Sequence, residues 1–184
     1  MTARTLSKEK IVSIAVEIIN NQETLTFTRL GKLLGTRPQA IYNYFPNVMA
    51  LKVAVANNFY KQLAQRLEAD LLALSGKQAV KTFANVSVQY SLGHFLVVKQ
   101  ILSIPKDKLN SDDSNNGYMM IHKILNELLE SLVDDKKSQL IILRMLSNLI
   151  IGEIVNDRNN RFDRNLMSTR DSFDKMLDIT LLSL

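Results

Sequence analysis

The chain has 184 residues, 46% of them hydrophobic, and 23 Lys and Arg against 18 Asp and Glu give a formal charge of +5. That length supports one good-sized core, or a small head on a larger body. Without cysteine, disulfides, thiolate metal sites and cysteine nucleophiles are excluded together. No uninterrupted apolar run reaches the ~20 residues of a membrane span, and the opening MTARTLSKEK has no apolar signal core. A cytoplasmic protein with no membrane partner is therefore expected. Glycine and proline are scarce, six and three, and the apolar spacing is helical rather than alternating, so the predicted fold is all-α.

The charge is unevenly spread. From Met1 to Arg66 there are nine cations and three anions, a balance of +6; the remaining 14 cations and 15 anions leave −1. A basic head on a near-neutral body points to a polyanion at one end and a different task at the other.

A first helix is predicted after Ser7 and up to about Asn21, with Ile11, Ile14, Ala15, Ile18 and Ile19 on its buried side. The stretch Thr26 to Leu51, TFTRLGKLLGTRPQAIYNYFPNVMAL, follows. Thr26 is an N-cap for a short helix carrying Leu30, Leu33 and Leu34, and Gly35 ends it. Thr36 is expected to cap the next helix, with Pro38 in its first turn, and that helix runs from about Arg37 to Tyr44. Two short helices at a tight turn make a helix-turn-helix, whose second helix enters the DNA major groove.

Pro46 and Asn47 restart the chain. A long fourth helix is predicted from about Asn47 to Leu74, because Leu51, Val55, Phe59, Leu63, Leu67 and Leu71 recur every four residues. It links a three-helix head, residues 1–50, to a helical body, residues 51–184. Further helices fit Lys77 to Leu92 and Gly93 to Ile104, and the polar, turn-rich Pro105 to Gly117 reads as an exposed loop. The next helix fits Tyr118 to Val133. One starting at Asp134 or Asp135 is apolar on more than one face, and the last begins near Asp163, about nine helices in all. A helix apolar nearly all round must be covered nearly all round.

The residues LGKLLGTRPQAIYNYFPNVMAL resemble the DNA-binding signature of the TetR family of transcriptional regulators: Leu30-Gly31, Gly35, Ile41-Tyr42, Tyr44-Phe45-Pro46 and Leu51 fall in the family's order. The resemblance is specific over the head and architectural elsewhere. It implies that Arg37, Pro38, Gln39, Ala40, Tyr42, Asn43 and Tyr44 face double-stranded DNA, an inverted-repeat operator. Gln39 and Asn43 have the chemistry to pair bidentately with adenine, Arg37 with guanine or a phosphate, and Pro38 or Ala40 to lie against a thymine methyl. Tyr42, Tyr44, Thr28 and Arg29 suit phosphates. Gly31 stands where the family usually has alanine, which is expected to weaken the helix by up to about 1 kcal/mol without changing its packing role. Val48 stands where a phosphate-touching lysine is common, and Lys52, one turn on, is the candidate substitute.

For the body the resemblance implies a small-molecule pocket and a homodimer built on the last two helices, hence a repressor released by its effector. Candidate pocket residues are Phe59, Phe83, Tyr90, His94, Phe95, Tyr118, Met119, His122 and Met145, apolar walls with a few polar points. Candidate dimer residues are Leu140, Leu143, Ile150, Ile151, Ile154, Phe173, Met176 and Leu177, because the penultimate helix has more apolar surface than one subunit's core covers. Two histidines without cysteine make a poor metal site, and neither metal nor cofactor is expected. With no glycine-rich phosphate loop, nucleophile elbow or HExxH, no enzyme is predicted. The alternative is a helical adaptor that binds a partner protein through the apolar penultimate helix.

Overall fold

Side-chain caps set most of the helix starts. Ser7 accepts the Lys10 amide at 3.2 Å and opens α1 (Lys8–Asn20). Thr26 does the same for Arg29 at 3.1 Å and opens α2 (Phe27–Leu34), each such cap being worth about 1 kcal/mol. α3 (Pro38–Tyr42) departs from expectation at both ends. Its cap is Arg37, extended at φ −80 and ψ 146 with no side-chain hydrogen bond, instead of Thr36. A residue before proline is driven out of the helical region, so the helix starts at Pro38 and the cap falls one residue later than the threonine.

Asn47 accepts the Ala50 amide at 2.8 Å and starts α4 (Val48–Asp70), which ends a turn short of Leu74 as the chain passes through a left-handed Ala73, φ 64. Then come α5 (Gly76–Gly93), α6 (Phe95–Ile101), α7 (Lys106–Leu109), α8 (Gly117–Glu130), α9 (Lys136–Arg158) and α10 (Thr169–Leu181). The computed structural model describes residues 6–110 and 116–182, and the described residues are all-α, with ten helices and no strand. The tenth is α7. It lies in the segment expected to be an exposed loop, where Leu109, its single leucine, is buried and carries one helical turn with it; residues 111–115 of that segment lie outside the described residues. α10 also starts later than the expected Asp163, because Ser168 accepts the Asp171 amide at 3.0 Å and fixes the helix start there.

The chain divides into two compact units, Met1–Tyr60 with Leu96–Tyr118, and Lys61–Phe95 with Met119–Leu184. In the first, α1 packs on α2 and α2 on α3, around Ile11, Ile18, Leu30, Ile41 and Leu51. In the second, α5, α9 and α10 pack on one another around Phe83, Leu146, Phe173 and Leu177. Each such side chain contributes about 1.5–3 kcal/mol by leaving water. Polar ties between α5 and α10 add register: Lys81 pairs with Asp178 at 2.7 Å and Asn85 donates to Asp174 at 2.8 Å.

Candidate functional site

Two glycines shape the turn between α2 and α3. Gly35 is left-handed, φ 66 and ψ 33, a conformation that penalises a Cβ. Its N–H and that of Thr36, at 2.8 Å, both donate to the Gly31 carbonyl and satisfy the end of α2. Gly31 itself sits against the start of α3. A Cβ there would lie 2.8 Å from the Thr36 carbonyl oxygen and 3.3 Å from the Pro38 nitrogen, both backbone atoms. Alanine at this position therefore differs in packing as well as in helix propensity, contrary to the expectation from sequence.

α3 hangs on one apolar anchor. Ile41 is fully buried, while Arg37, Gln39, Tyr42 and Asn43 are exposed and Pro38 and Ala40 half-buried. Tyr42, 57% exposed, rests its ring edge-on against Phe27 with centroids 4.7 Å apart, which orients it without burying it. Tyr44 is different: its hydroxyl donates to the Leu6 carbonyl at 2.7 Å and ties down the segment before α1.

Arg29 is engaged within the head. Its guanidinium grips Glu23 through Nε to Oε2 and through Nη2 to Oε1 at 2.8 Å, and this hydrogen bonding holds the Glu23 carboxyl below its ordinary range. The pair staples the loop before α2 to its first turn. Thr28 is exposed, while Lys52 and Val48 are half-buried on α4.

The nine candidate pocket residues are divided between the two units, Phe59 and Tyr118 in the first and the other seven in the second. Within the first unit, Phe59 is core and meets Tyr60 at 5.5 Å, and Tyr60 meets Tyr118 at 5.4 Å; burial pushes the Tyr60 hydroxyl up to about 12. Tyr118 and Tyr60 border a cavity of about 150 Å³ with Asn57 and Asn116. Within the second unit, Phe83 is core. Tyr90 stacks on His94 at 4.3 Å and donates to Gln62 at 2.8 Å, His94 Nδ1 lies 2.8 Å from the Tyr90 carbonyl, and Arg158 sits 5.8 Å over Phe95. Met119 is exposed and His122 half-buried.

Met145 borders a cavity of about 430 Å³ between α9 and α10 in the second unit. Leu149, Phe162 and Met176 complete its apolar wall, and Glu153 and Thr180 add polar atoms. Glu153 is 4% exposed, and its Oε2 is buried with no hydrogen-bond partner. Burial, helped by the nearby Asp157, pushes its carboxyl up to about 7. Sequence reading passed over this residue, although Glu153 is the one acid between Asp135 and Asp157 in an otherwise apolar helix.

The dimer candidates divide by burial. Ile154, Phe173 and Leu177 are spent in the unit's own core; Leu143, Ile150 and Met176 are half-buried; Leu140 and Ile151 are exposed, and so are Ile141, Met145 and Ile179. Among the described residues α9 is the one helix long and apolar enough to cross a membrane by length and composition, with an 18-residue window of mean hydropathy 1.5 that is only 22% buried.

No protein-family model matches the sequence, and no curated protein matches it. Solved structures do. A TetR transcriptional regulator from Streptomyces coelicolor superposes with a TM-score of 0.76 at 18% identity, over 97% of each chain. TetR from Acinetobacter baumannii AYE, in complex with minocycline, gives 0.71 at 18% identity over 97% of this chain and 96% of that one. A Rhodococcus protein of unknown function gives 0.75 at 12% identity over 100% and 98%. At these identities the likeness speaks for architecture, and with the glycine-hinged helix pair and the long α4 it leads to one conclusion: this chain has the fold of the TetR-family transcriptional regulators.

Proposed function

We propose that the chain is a sequence-specific, DNA-binding transcriptional regulator working as a homodimer, with residues 1–50 as DNA-binding domain and 51–184 as ligand-binding and dimerisation domain. The observation that carries this reading is α3: a short helix sunk through Ile41, with the donors and acceptors of Arg37, Gln39 and Asn43 turned to solvent on the basic end of the chain. Exposed groups of this kind match base edges in the major groove, whereas a purely structural helix has no need of them. Thr28, Tyr42 and Lys52 are assigned to phosphates, with Pro38 and Ala40 against bases. Arg29 is held by Glu23 with donors to spare for a phosphate, whereas Tyr44 donates to one only by leaving Leu6 and serves chiefly to shape the head.

The apolar α9–α10 face supports dimerisation, with Leu140, Leu143, Ile150, Ile151 and Met176 closing on the same face of a second copy. A regulator of this kind acts in the cytoplasm, as a repressor that a small molecule releases from its operator; the minocycline complex of the Acinetobacter protein of like fold supports an effector-responsive body. The exposed apolar α9 also favours a second reading, an adaptor that uses this face for another protein.

Titration against the DNA upstream of its own gene at several salt concentrations separates the two. The regulator gives a steep salt slope and a preference over random duplex of about 10³ or more. Equal, weak binding to any DNA overturns it and leaves the adaptor.

A further inference from the structure

We infer that Glu23 is a positioning residue for DNA binding: its carboxylate holds the Arg29 guanidinium in place for a backbone phosphate. The chain builds this placement from both sides. After α1, Gln22 takes the left-handed conformation, φ 57, its N–H donating to the Ile19 carbonyl and that of Glu23 to the Ile18 carbonyl, each at 3.0 Å. The backbone that carries Glu23 is thereby fixed. Arg29 lies in the first turn of α2, its amide bonded to the Thr26 side chain at 3.1 Å. Glu23 Oε2 then accepts from Nε, and Oε1 accepts from Nη2 at 2.8 Å.

A planar guanidinium gripped along one edge keeps its other donors: Nη1 and the second Nη2 hydrogen are not used by Glu23. The two side chains are 33% and 35% exposed, so the pair is open to solvent. An arginine ordered before it meets DNA has little rotamer freedom left to lose there. Its surroundings suit an anion, since the neighbouring Thr28 is exposed and the first turn of α2 contains no acid. Glu17 of α1 is the other carboxylate that acts on this guanidinium, through space only. By charge alone Glu23 opposes a polyanion; as a positioning residue it favours one. The two roles differ in sign. The placement matters only if the head binds DNA, so the inference rests on that reading.

Fluorescence anisotropy of the full chain on its upstream DNA and on random duplex, at several salt concentrations, provides the test. Arg29→Ala is expected to weaken both duplexes alike by about fivefold or more and to reduce the salt slope by about one. Glu23→Gln should weaken both by about threefold or more although it removes an anion. Glu9→Gln, about two turns further along α1 than Glu17, removes an equal charge and should leave binding unchanged or slightly tighter. In the Arg29→Ala background, Glu23→Gln should weaken nothing more, which separates positioning from a general loosening of the head. Four results overturn the inference while the DNA-binding reading stands: unchanged or tighter binding by Glu23→Gln, an equal loss in Glu9→Gln, a loss that persists without Arg29, or an Arg29→Ala variant with the parent's affinity and slope. A parent that binds no duplex overturns both.

Discussion

α3 and α9 expose their side chains at opposite chemical costs. α3 has five residues and one fully buried anchor, Ile41, and what it and its two caps expose is mainly polar: Gln39 and Tyr42 in the helix, Arg37 and Asn43 at its ends. Water solvates those groups, so their exposure carries no penalty. α9 has 23 residues and turns Leu140, Ile141, Met145 and Ile151 outward although Ile142, Leu146 and Ile154 already supply its buried side. Apolar area left in water forgoes about 25 cal/mol per Å², so cover by a second apolar surface would stabilise this face. On the proposed reading the kind of exposure matches the kind of partner, nucleic acid for the short helix and a second apolar surface for the long one.

Charging the apolar face should break this comparison most sharply. Ile151→Asp is expected to convert a dimer into a monomer in sedimentation and to lower operator affinity by about two orders of magnitude, because two linked heads bind far better than one. A dimer that survives, with full affinity, removes α9 from the interface. Next in size are Gln39→Ala and Asn43→Ala. Each should cost about 1–3 kcal/mol on the preferred sequence and almost nothing on random duplex, flattening the preference measured by competition. Uniform weakening on both DNAs would return these residues to the status of mere surface.

Gly31→Ala sharpens the account of the turn. Helix propensity alone favours alanine by about 1 kcal/mol, yet the Cβ would press on the Thr36 carbonyl at 2.8 Å, and neither backbone atom in its path yields cheaply. The melting temperature is expected to fall by about 4 °C or more; a rise would show that the helices separate easily. A pH effect is expected in the second unit. The Glu153 carboxyl is raised from 4.5 to about 7 in the folded chain, so the folded state holds the proton more tightly. Its stabilising contribution is full below 4.5, is lost as pH rises through about 7, and is absent above. Over that window Glu153→Gln should melt on the order of a few degrees less pH-dependently than the parent. The carboxyls held low by hydrogen bonds, Glu9, Glu23, Asp135 and Asp178, titrate below their ordinary values and act in the opposite direction outside the window.

The head was legible in the sequence because its determinants are local. Caps at Ser7 and Thr26, the stop at Gly35 and the four-residue apolar row of α4 are set by neighbours a turn away, and α2 falls at the expected residues. Departures arose where distant atoms decide. Burial of Leu109 turned an expected loop into α7. Glu23 and Arg29, six residues apart and not at a helical spacing, make a pair that no periodicity announces, and the tie from Tyr44 to Leu6 spans 38 residues. The body's apolar surplus was readable as composition. Which side chains fill the core, as Phe173 and Leu177 do, and which stay exposed, as Ile151 does, depends on α5 and α10 closing over one face of α9. Glu153 carried a signal, an acid within the apolar stretch of α9, whose meaning appears only with the cavity beside it.

On the proposed reading, two copies present two α3 helices to one DNA. Hydroxyl-radical footprinting on the upstream DNA tests it most directly. The account predicts two protected half-sites related by two-fold symmetry, with centres one helical turn, about 10–10.5 base pairs, or a multiple apart. A single protected patch, or diffuse protection without symmetry, would contradict it.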